Sequence, residues 1–425
     1  MAWEPHVNPN QDKYDERLGR LHDAVALKEP DRVPFLDPME NMFAYFDRGY
    51  TMAEVLYDIE KAKDGIRSFL TEFEPDVGHG ISAVLEGQGP MLEKGQCKMW
   101  KWAGMPGNEI PKNSVHQFIE YPLLEDGEFA ELLKSRGSFG LKKMLPRAWG
   151  LLEPMRYFDF DAPFVMKPEL NAFAFAFANP EVQQMVSELG ELAGMWGAYW
   201  GDVAAFKGEV ENRGYPVPYD LFAMVPFDYY SDYLRGTMNT SLDLYDHPEE
   251  VYEFVLQQTE IGVKAIRDNQ WARPGNIGMV WMHKGMDGFL SDEHYEKFYW
   301  EPFMQIVDAI IERGMIPYLF TEGNYNTRFE FLKRLPKGKT LVHFEHVDMA
   351  RAKKELGDVA CITGNFPAFL LENGTEQQVI DEAKRQLDIC APGGGYMFAF
   401  DGGLYFGKRK NIEALYRTVK EYGIY

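Results

Sequence analysis

The chain has 425 residues, 45% of them apolar, which is enough for one large domain with a substantial core and too many for a disordered chain. Its net charge of −22 excludes nucleic acid and anionic membrane as partners, because both reward basic patches. The three cysteines, Cys97, Cys361 and Cys390, stand alone without CxxC or CxH spacing, which excludes a disulfide framework and a thiolate zinc site. The first residues are polar and acidic, unlike a signal peptide, and no apolar run nears the ~20 residues of a membrane span. A soluble, cytoplasmic protein is expected.

In chain order, residues 1–20 are predicted to form an extended arm that enters a helix over 15–28. Arg32 to Leu36 is a first strand, and Thr51 to Phe73 is an amphipathic helix capped by Thr51. From 76 to 111 Gly and Pro interrupt every run around an aromatic knot, Trp100-Lys101-Trp102, which predicts a strand with long loops. Helices follow over 126–136, 148–155 and 179–203. Residues 202–236 are aromatic-rich and irregular, the pattern of a lid-like loop, and precede a helix over 247–270. Beyond it the pattern is regular. Strands over 277–283, 315–321, 340–346, 358–363 and 396–400 alternate with helices over 291–313, 326–334, 348–356, 375–389 and 410–422. Thr375 and Gln378 form a capping box. Five consecutive βα units predict a parallel sheet covered by helices. Together with the irregular first half they close most economically as one domain, residues 1–425. That domain is an α/β (β/α)8 TIM-type barrel with an N-terminal extension and long loop insertions.

In such folds chemistry gathers at the carboxyl ends of the strands. Two neighbouring runs end in Glu322-Gly323-Asn324 and in His343-Phe344-Glu345-His346. A carboxylate after an apolar run is costly to bury unless it is paired or metal-bound. Alternation puts His343 and Glu345 on one side of their strand. Zinc accepts a carboxylate and an imidazole together, so Glu322 and His343 are candidate ligands, with Glu345 a third ligand or an orienting neighbour. The structural alternatives are a solvated strand-end Glu322 and a core His343. His283, Lys284 and Asp287 end another strand and suit substrate recognition or proton transfer, against the alternative of a turn whose Asp caps a backbone group. Pro392 to Gly395 precedes a strand, so it is a tight turn at the wrong end for binding phosphate. Aromatic residues make up 15% of the chain, and their density near Tyr229 suggests an aromatic cleft. Trp102, Tyr229, Lys284 and Tyr325 are expected to contact the substrate.

Longer stretches carry a family resemblance. Lys28 to Pro34 (KEPDRVP), Leu234-Arg235-Gly236, Leu356-Gly357-Asp358 leading to Thr363-Gly364-Asn365, Glu372 to Val379 (ENGTEQQV) and Asn411 to Gly423 are similar to segments of the uroporphyrinogen decarboxylase superfamily. The resemblance implies a (β/α)8 barrel and a possible homodimer. The decarboxylases carry an Arg-rich segment where this chain reads Asp37-Pro38-Met39-Glu40-Asn41-Met42. The coenzyme M methyltransferases carry His-x-Cys where it reads Phe320-Thr321-Glu322. Neither activity is therefore expected. The sequence most resembles the substrate-side methyltransferases of anaerobic O-demethylation, which bind zinc through Glu-x14-Glu-x20-His. Glu322 and His343 match the second half, while the first Glu falls on Val307, next to Asp308. His283, Lys284 and Asp287 resemble a further HKGxDGF segment of that branch. The resemblance implies methyl transfer from a small, methoxyaromatic donor to Co(I) of a separate corrinoid protein, with cobalamin carried by that partner. Zinc on Glu322 and His343 would act as Lewis acid, Glu345 would orient it, and His283 or Asp287 would move the proton. A metal-free decarboxylase or lyase on the same barrel, and a non-catalytic subunit of a methyltransferase complex, are the alternatives.

Overall fold

Hydrogen bonds from main chain to main chain close a ring of eight staves in the computed structural model, which describes residues 8–36, 40–81, 85–107, 109–160 and 170–425. A small antiparallel ribbon, β1 (Trp100–Lys101) and β2 (Gln117–Phe118), precedes the main sheet. Six staves are parallel strands in sequential order: β3 (Tyr219–Met224), β4 (Ile277–Met282), β5 (Ile316–Asn324), β6 (Leu341–His346), β7 (Cys361–Gly364) and β8 (Tyr396–Met397). The other two are short. Leu36 N donates to Phe398 O and Phe398 N to Pro34 O, Asp76 and Val77 N donate to Phe35 O, and Gly78 N donates to Pro216 O, just before β3. The predicted barrel thus closes.

The strands are apolar on both faces, as parallel strands covered by helices must be. Met279, Tyr318, Leu341, Cys361 and Met397 point into the lumen, while Val280, Leu319, Val342 and Ile362 pack outward against the helices. The N-terminal extension has a structural purpose. Helix α1 (Gln11–Val25) puts Leu21, Ala24 and Val25 into the lumen cluster and stoppers its lower end. Among the described residues, α1 thus covers the end of the lumen opposite the carboxyl ends of the strands.

The two short staves have few ladder bonds, and a buried ion cluster holds them. Asp76 is fully buried and accepts from Phe35 N (2.9 Å), Arg20 Nη1 (3.0 Å) and both terminal nitrogens of Arg32 (2.6 Å each). One carboxylate thereby ties α1, the first stave and the second. Its four bonds offset the desolvation that an unpaired carboxylate would incur.

Several expectations change, and residues 11–20, expected within an extended arm, are helical in α1. The helix expected over Thr51 to Phe73 is two helices, Met52–Val55 with a Thr51–Glu54 capping box and Ile59–Phe73 capped by Asp58, because two side chains compete to start it. The helix expected over 291–313 contains a π-helical stretch, Tyr295–Trp300, which brings Tyr295 and Tyr299 fully into the core. The stretch expected as a lid-like loop over 202–236 instead holds the end of a long helix (Pro180–Asn212), strand β3 and a π-helical turn, Tyr229–Arg235. The Thr375–Gln378 capping box is present. The Gly-rich turn before β8 is forced by close approach: Gly394 has φ +73°, and a Cβ there would lie 2.3 Å from the Lys28 carbonyl carbon.

Removing the Asp76 carboxylate takes the buried partner from both terminal nitrogens of Arg32 and one bond from Arg20, which keeps Asp31 and Glu16. Asp76→Ala is expected to cost about 3–5 kcal/mol, read as a lower urea midpoint; an unchanged midpoint would show that the seam does not need this cluster.

Candidate active site at the barrel mouth

Three neighbouring strands build the floor of the site. The register aligns Trp281 with Phe320 and Phe320 with His343 as one inward layer. One step further along, the side chains change from aromatic to ionisable: His283 after β4, Glu322 on β5 and Glu345 on β6. Alternation alone dictates this, since each lies two residues beyond a lumen residue. Between Thr321 and Asn324 the β5–β6 ladder shifts register. Gly323 has φ +82°, and its N–H donates to Glu345 Oε2 at 2.6 Å. That left-handed residue turns the amide toward the lumen, where it holds one carboxylate oxygen.

Above the aromatic layer lies a cavity of about 100 Å3 that includes Glu40, Trp281, Phe320, Glu322, His343, Glu345 and Tyr405 in its wall. Among the described residues no Lys or Arg lines it. Glu40 accepts a hydrogen bond from the Tyr405 hydroxyl. Burial raises the pKa of Glu40, with the charges of Glu322 and Glu86 adding to it and the Tyr405 bond opposing. Burial likewise raises Glu322 and Glu345, Glu322 being relieved by His283 and Glu345 by the Gly323 amide.

His343 is only 3% exposed and stacks on Phe320 with ring centroids 4.4 Å apart. Its Nδ1 meets the Tyr318 hydroxyl at 2.9 Å, while Nε2 has no hydrogen-bond partner. Burial, opposed by the Asp401 main chain, pushes the imidazole down to about 4, so it is neutral at physiological pH.

His283 is the opposite case. Its Nδ1 lies 2.5 Å from Asp232 Oδ2 and its Nε2 lies 3.4 Å from Glu322 Oε1. Burial alone would lower it. The Asp232 bond and the charges of Asp228 and Glu322 outweigh burial and hold it up at about 9. Asp232 shares its other oxygen with Lys284 Nζ at 3.2 Å. Asp228, fully buried one turn earlier, accepts from His283 N (2.8 Å), Lys284 N (3.0 Å) and the Tyr299 hydroxyl (2.9 Å). Burial, aided by the charge of Asp232, pushes the pKa of Asp228 upward. The π-helical geometry after Asp228 places both carboxylates against the end of β4: one grips its backbone and the other its imidazole.

The structure brings Glu322, His343 and Glu345 together in one cavity and sets His283 at its rim beside Lys284. It does not bring the others there. Asp287 accepts from Thr327 N (3.1 Å) and Thr327 Oγ1 (2.6 Å) and clasps two loops, so its expected catalytic role gives way to the turn alternative. Trp102 is buried away from the cavity and donates to the Tyr57 hydroxyl, and Tyr325 is fully buried and donates to Met282 O. Tyr229 packs on Tyr233 and Phe254. These three expected substrate contacts are packing residues. Sequence reasoning missed Glu40, Trp281, Asp228, Asp232 and Tyr405. The signal for two of them was present, since Asp228 and Asp232 are carboxylates four apart in an otherwise apolar, aromatic stretch. Of the segment Asp37 to Met42, residues 37–39 lie outside the described residues.

The expected zinc finds an incomplete donor set. The unpartnered Nε2 of His343 suits a metal, but among the described residues no three His, Cys, Asp or Glu gather closely enough to hold one. Asp308 is exposed on the helix Glu301–Glu312, and Val307 is buried in its packing face.

A closed lumen, a stoppered lower end and ionisable groups at the upper rim define a (β/α)8 enzyme-type barrel with its site at the mouth. The uroporphyrinogen decarboxylase family model matches residues 210–422, half of the chain, and the protein belongs to that family. Its fold is similar to that of a solved structure, a methyltransferase from Methanosarcina mazei. The TM-score is 0.59 at 13% identity, covering 96% of this chain and 98% of that one. A search of curated protein sequences finds no match. Among the described residues no helix is long and apolar enough to cross a membrane.

Asp232→Asn removes the charge that offsets burial, so His283 is expected to lose its proton about one pH unit or more lower. Imidazole NMR titration measures this directly; an unshifted His283 would show that Asp232 does not set its charge.

Proposed function

We propose that this protein is a methyltransferase that moves a methyl group from a small donor, held in the mouth cavity, to Co(I) of a separate corrinoid protein. Family membership, the shared fold with a methyltransferase and the absence of lining arginines support this reading over decarboxylation of a polycarboxylate. The observation that carries it is His283 Nε2 facing Glu322 Oε1 across 3.4 Å at the cavity edge, with Asp232 on the other ring nitrogen.

Methyl transfer to a metal nucleophile is limited by the leaving group, which departs far more readily bearing a proton than as an anion. His283 and Glu322 keep one proton at the wall where the leaving heteroatom would sit. Asp232 keeps the imidazole charged and oriented, and Asp228 fixes the backbone from which it projects. As the methyl carbon bonds to cobalt, its bond to the heteroatom breaks and the electron pair stays on the heteroatom. The aromatic floor of Trp281 and Phe320 excludes water from the reacting carbon. The acceptor is carried by another protein, which must approach the open carboxyl end of the barrel, since α1 blocks the other.

Incubation with a reduced corrinoid protein and candidate methyl donors is expected to convert the Co(I) spectrum to that of methyl-Co(III). His283→Ala should slow a single turnover roughly 10^2–10^4-fold, with little change in donor binding. Full activity in that variant would remove His283 from the mechanism, and no conversion with any donor would contradict the proposed reaction.

A further inference from the structure

The cavity wall has an unbalanced chemistry. Glu40, Glu322 and Glu345 all face it, and among the described residues the nearest cation is His283 at its rim, already shared with Asp232. Glu40 is held by the Tyr405 hydroxyl, Glu345 by the Gly323 amide, and Glu322 by the His283 contact with the Lys284 charge also acting on it. An ionised carboxylate accepts about four hydrogen bonds, so each retains unused capacity on the cavity side. Buried carboxylates are retained where a cation completes them.

Two further observations point to the shape of that cation. Trp281 and Phe320 present aromatic rings with centroids 5.0 Å apart on the floor, and Tyr405 stands in the wall formed by the segment after β8. Aromatic faces attract diffuse, weakly hydrated cations, above all methylated ammonium groups. The second is His343, whose Nε2 is unpartnered although the residue is only 3% exposed. When Nδ1 gives its N–H to the Tyr318 hydroxyl, Nε2 is the acceptor of the neutral imidazole and takes an N–H, which an ammonium ion supplies and a methoxybenzoate does not. A methoxybenzoate would also bring a fourth carboxylate against three others.

Resting on the methyltransferase reading above, we infer that the cavity recognises a small N-methylated ammonium ion and that this ion is the methyl donor. The carboxylates supply the countercharge, the rings surround the methyl groups, and Glu322 or His343 accepts the N–H. The step balances without a further reactant. The C–N bond breaks with its electron pair kept by nitrogen, which leaves as a neutral amine, and the methyl carbon bonds to cobalt as Co(I) becomes Co(III). The leaving nitrogen would sit at the wall where His283 and Glu322 face one another across 3.4 Å. A methoxyaromatic donor, which the family resemblance implies, is the competing class that the titration below decides against or for.

Calorimetric titration of the full chain with trimethylammonium chloride, tert-butanol as the neutral shape, 4-methoxybenzoate and 2-methoxyphenol tests the inference. Trimethylammonium is expected to bind at least about tenfold tighter than tert-butanol, the aromatic ethers not at all. Glu40→Gln and Trp281→Leu should each weaken trimethylammonium about tenfold with an unchanged thermal midpoint. Where Glu40→Gln does not fold, Trp281→Leu carries the test. Tighter binding of either aromatic ether, or binding of zinc but not of trimethylammonium, overturns the inference. Binding of trimethylammonium with no methylation of Co(I) would overturn the methyltransferase reading and leave the ligand class standing. Methylation from 2-methoxyphenol without trimethylammonium binding would do the reverse.

Discussion

The buried carboxylate of Asp228 is the constraint on which the site depends. It takes two main-chain amides at the end of β4 and the Tyr299 hydroxyl, leaving that strand end a single exit direction. A carboxylate buried to this depth is tolerated only when its bonds are made, so the strand end, the π-helical turn and the tyrosine support one another. His283 inherits its position from this arrangement. Asp232, one helical step later, then sets its charge. The two acids divide the work: one fixes where the imidazole is, the other fixes what it carries.

The same logic extends round the mouth. Barrel strands deliver side chains to the lumen in layers, and the layer above Trp281, Phe320 and His343 is the last one before solvent. Apolar residues below it exclude water, and α1 seals the far end, so every ionisable group in that last layer feels a low dielectric on one side. This explains why two histidines 60 positions apart in the chain differ so widely. His343, surrounded by rings, is neutral; His283, flanked by carboxylates, is charged. The half of the chain matched by the family model contains all of these groups except Glu40 and α1, which come from the first third of the sequence. The second half therefore builds the reacting surface, and the first contributes the stopper and one acidic wall.

Much of this was legible in the sequence, for definite physical reasons. Strands β4 to β8 were readable because short apolar runs are separated by helices of ordinary length, and Glu322, His343 and Glu345 followed from alternation at their ends. β3 was not readable, because Tyr219–Met224 sits among prolines and aromatics and shows neither period clearly. Trp102, Tyr229 and Tyr325 read as substrate contacts because an aromatic residue looks the same in sequence whether it fills a core or lines a pocket. Asp287 was assigned to chemistry because its partner, Thr327, is 40 residues away. The carboxylates of Asp228 and Asp232 were passed over for the same reason. Their meaning lies in a strand end more than 50 residues downstream, and only the folded ring brings the two together.

The central claim is that a protonated His283, held between Asp232 and Glu322 with Asp228 behind it and Lys284 beside Asp232, works at the mouth cavity. The most direct measurement is the pH dependence of single-turnover methyl transfer to a corrinoid protein. The rate should hold from neutral pH and fall as pH rises through about 9, where His283 gives up its proton, and Asp232→Asn should move that fall to lower pH. A profile that stays level through pH 9, or one that Asp232→Asn leaves in place, would contradict it.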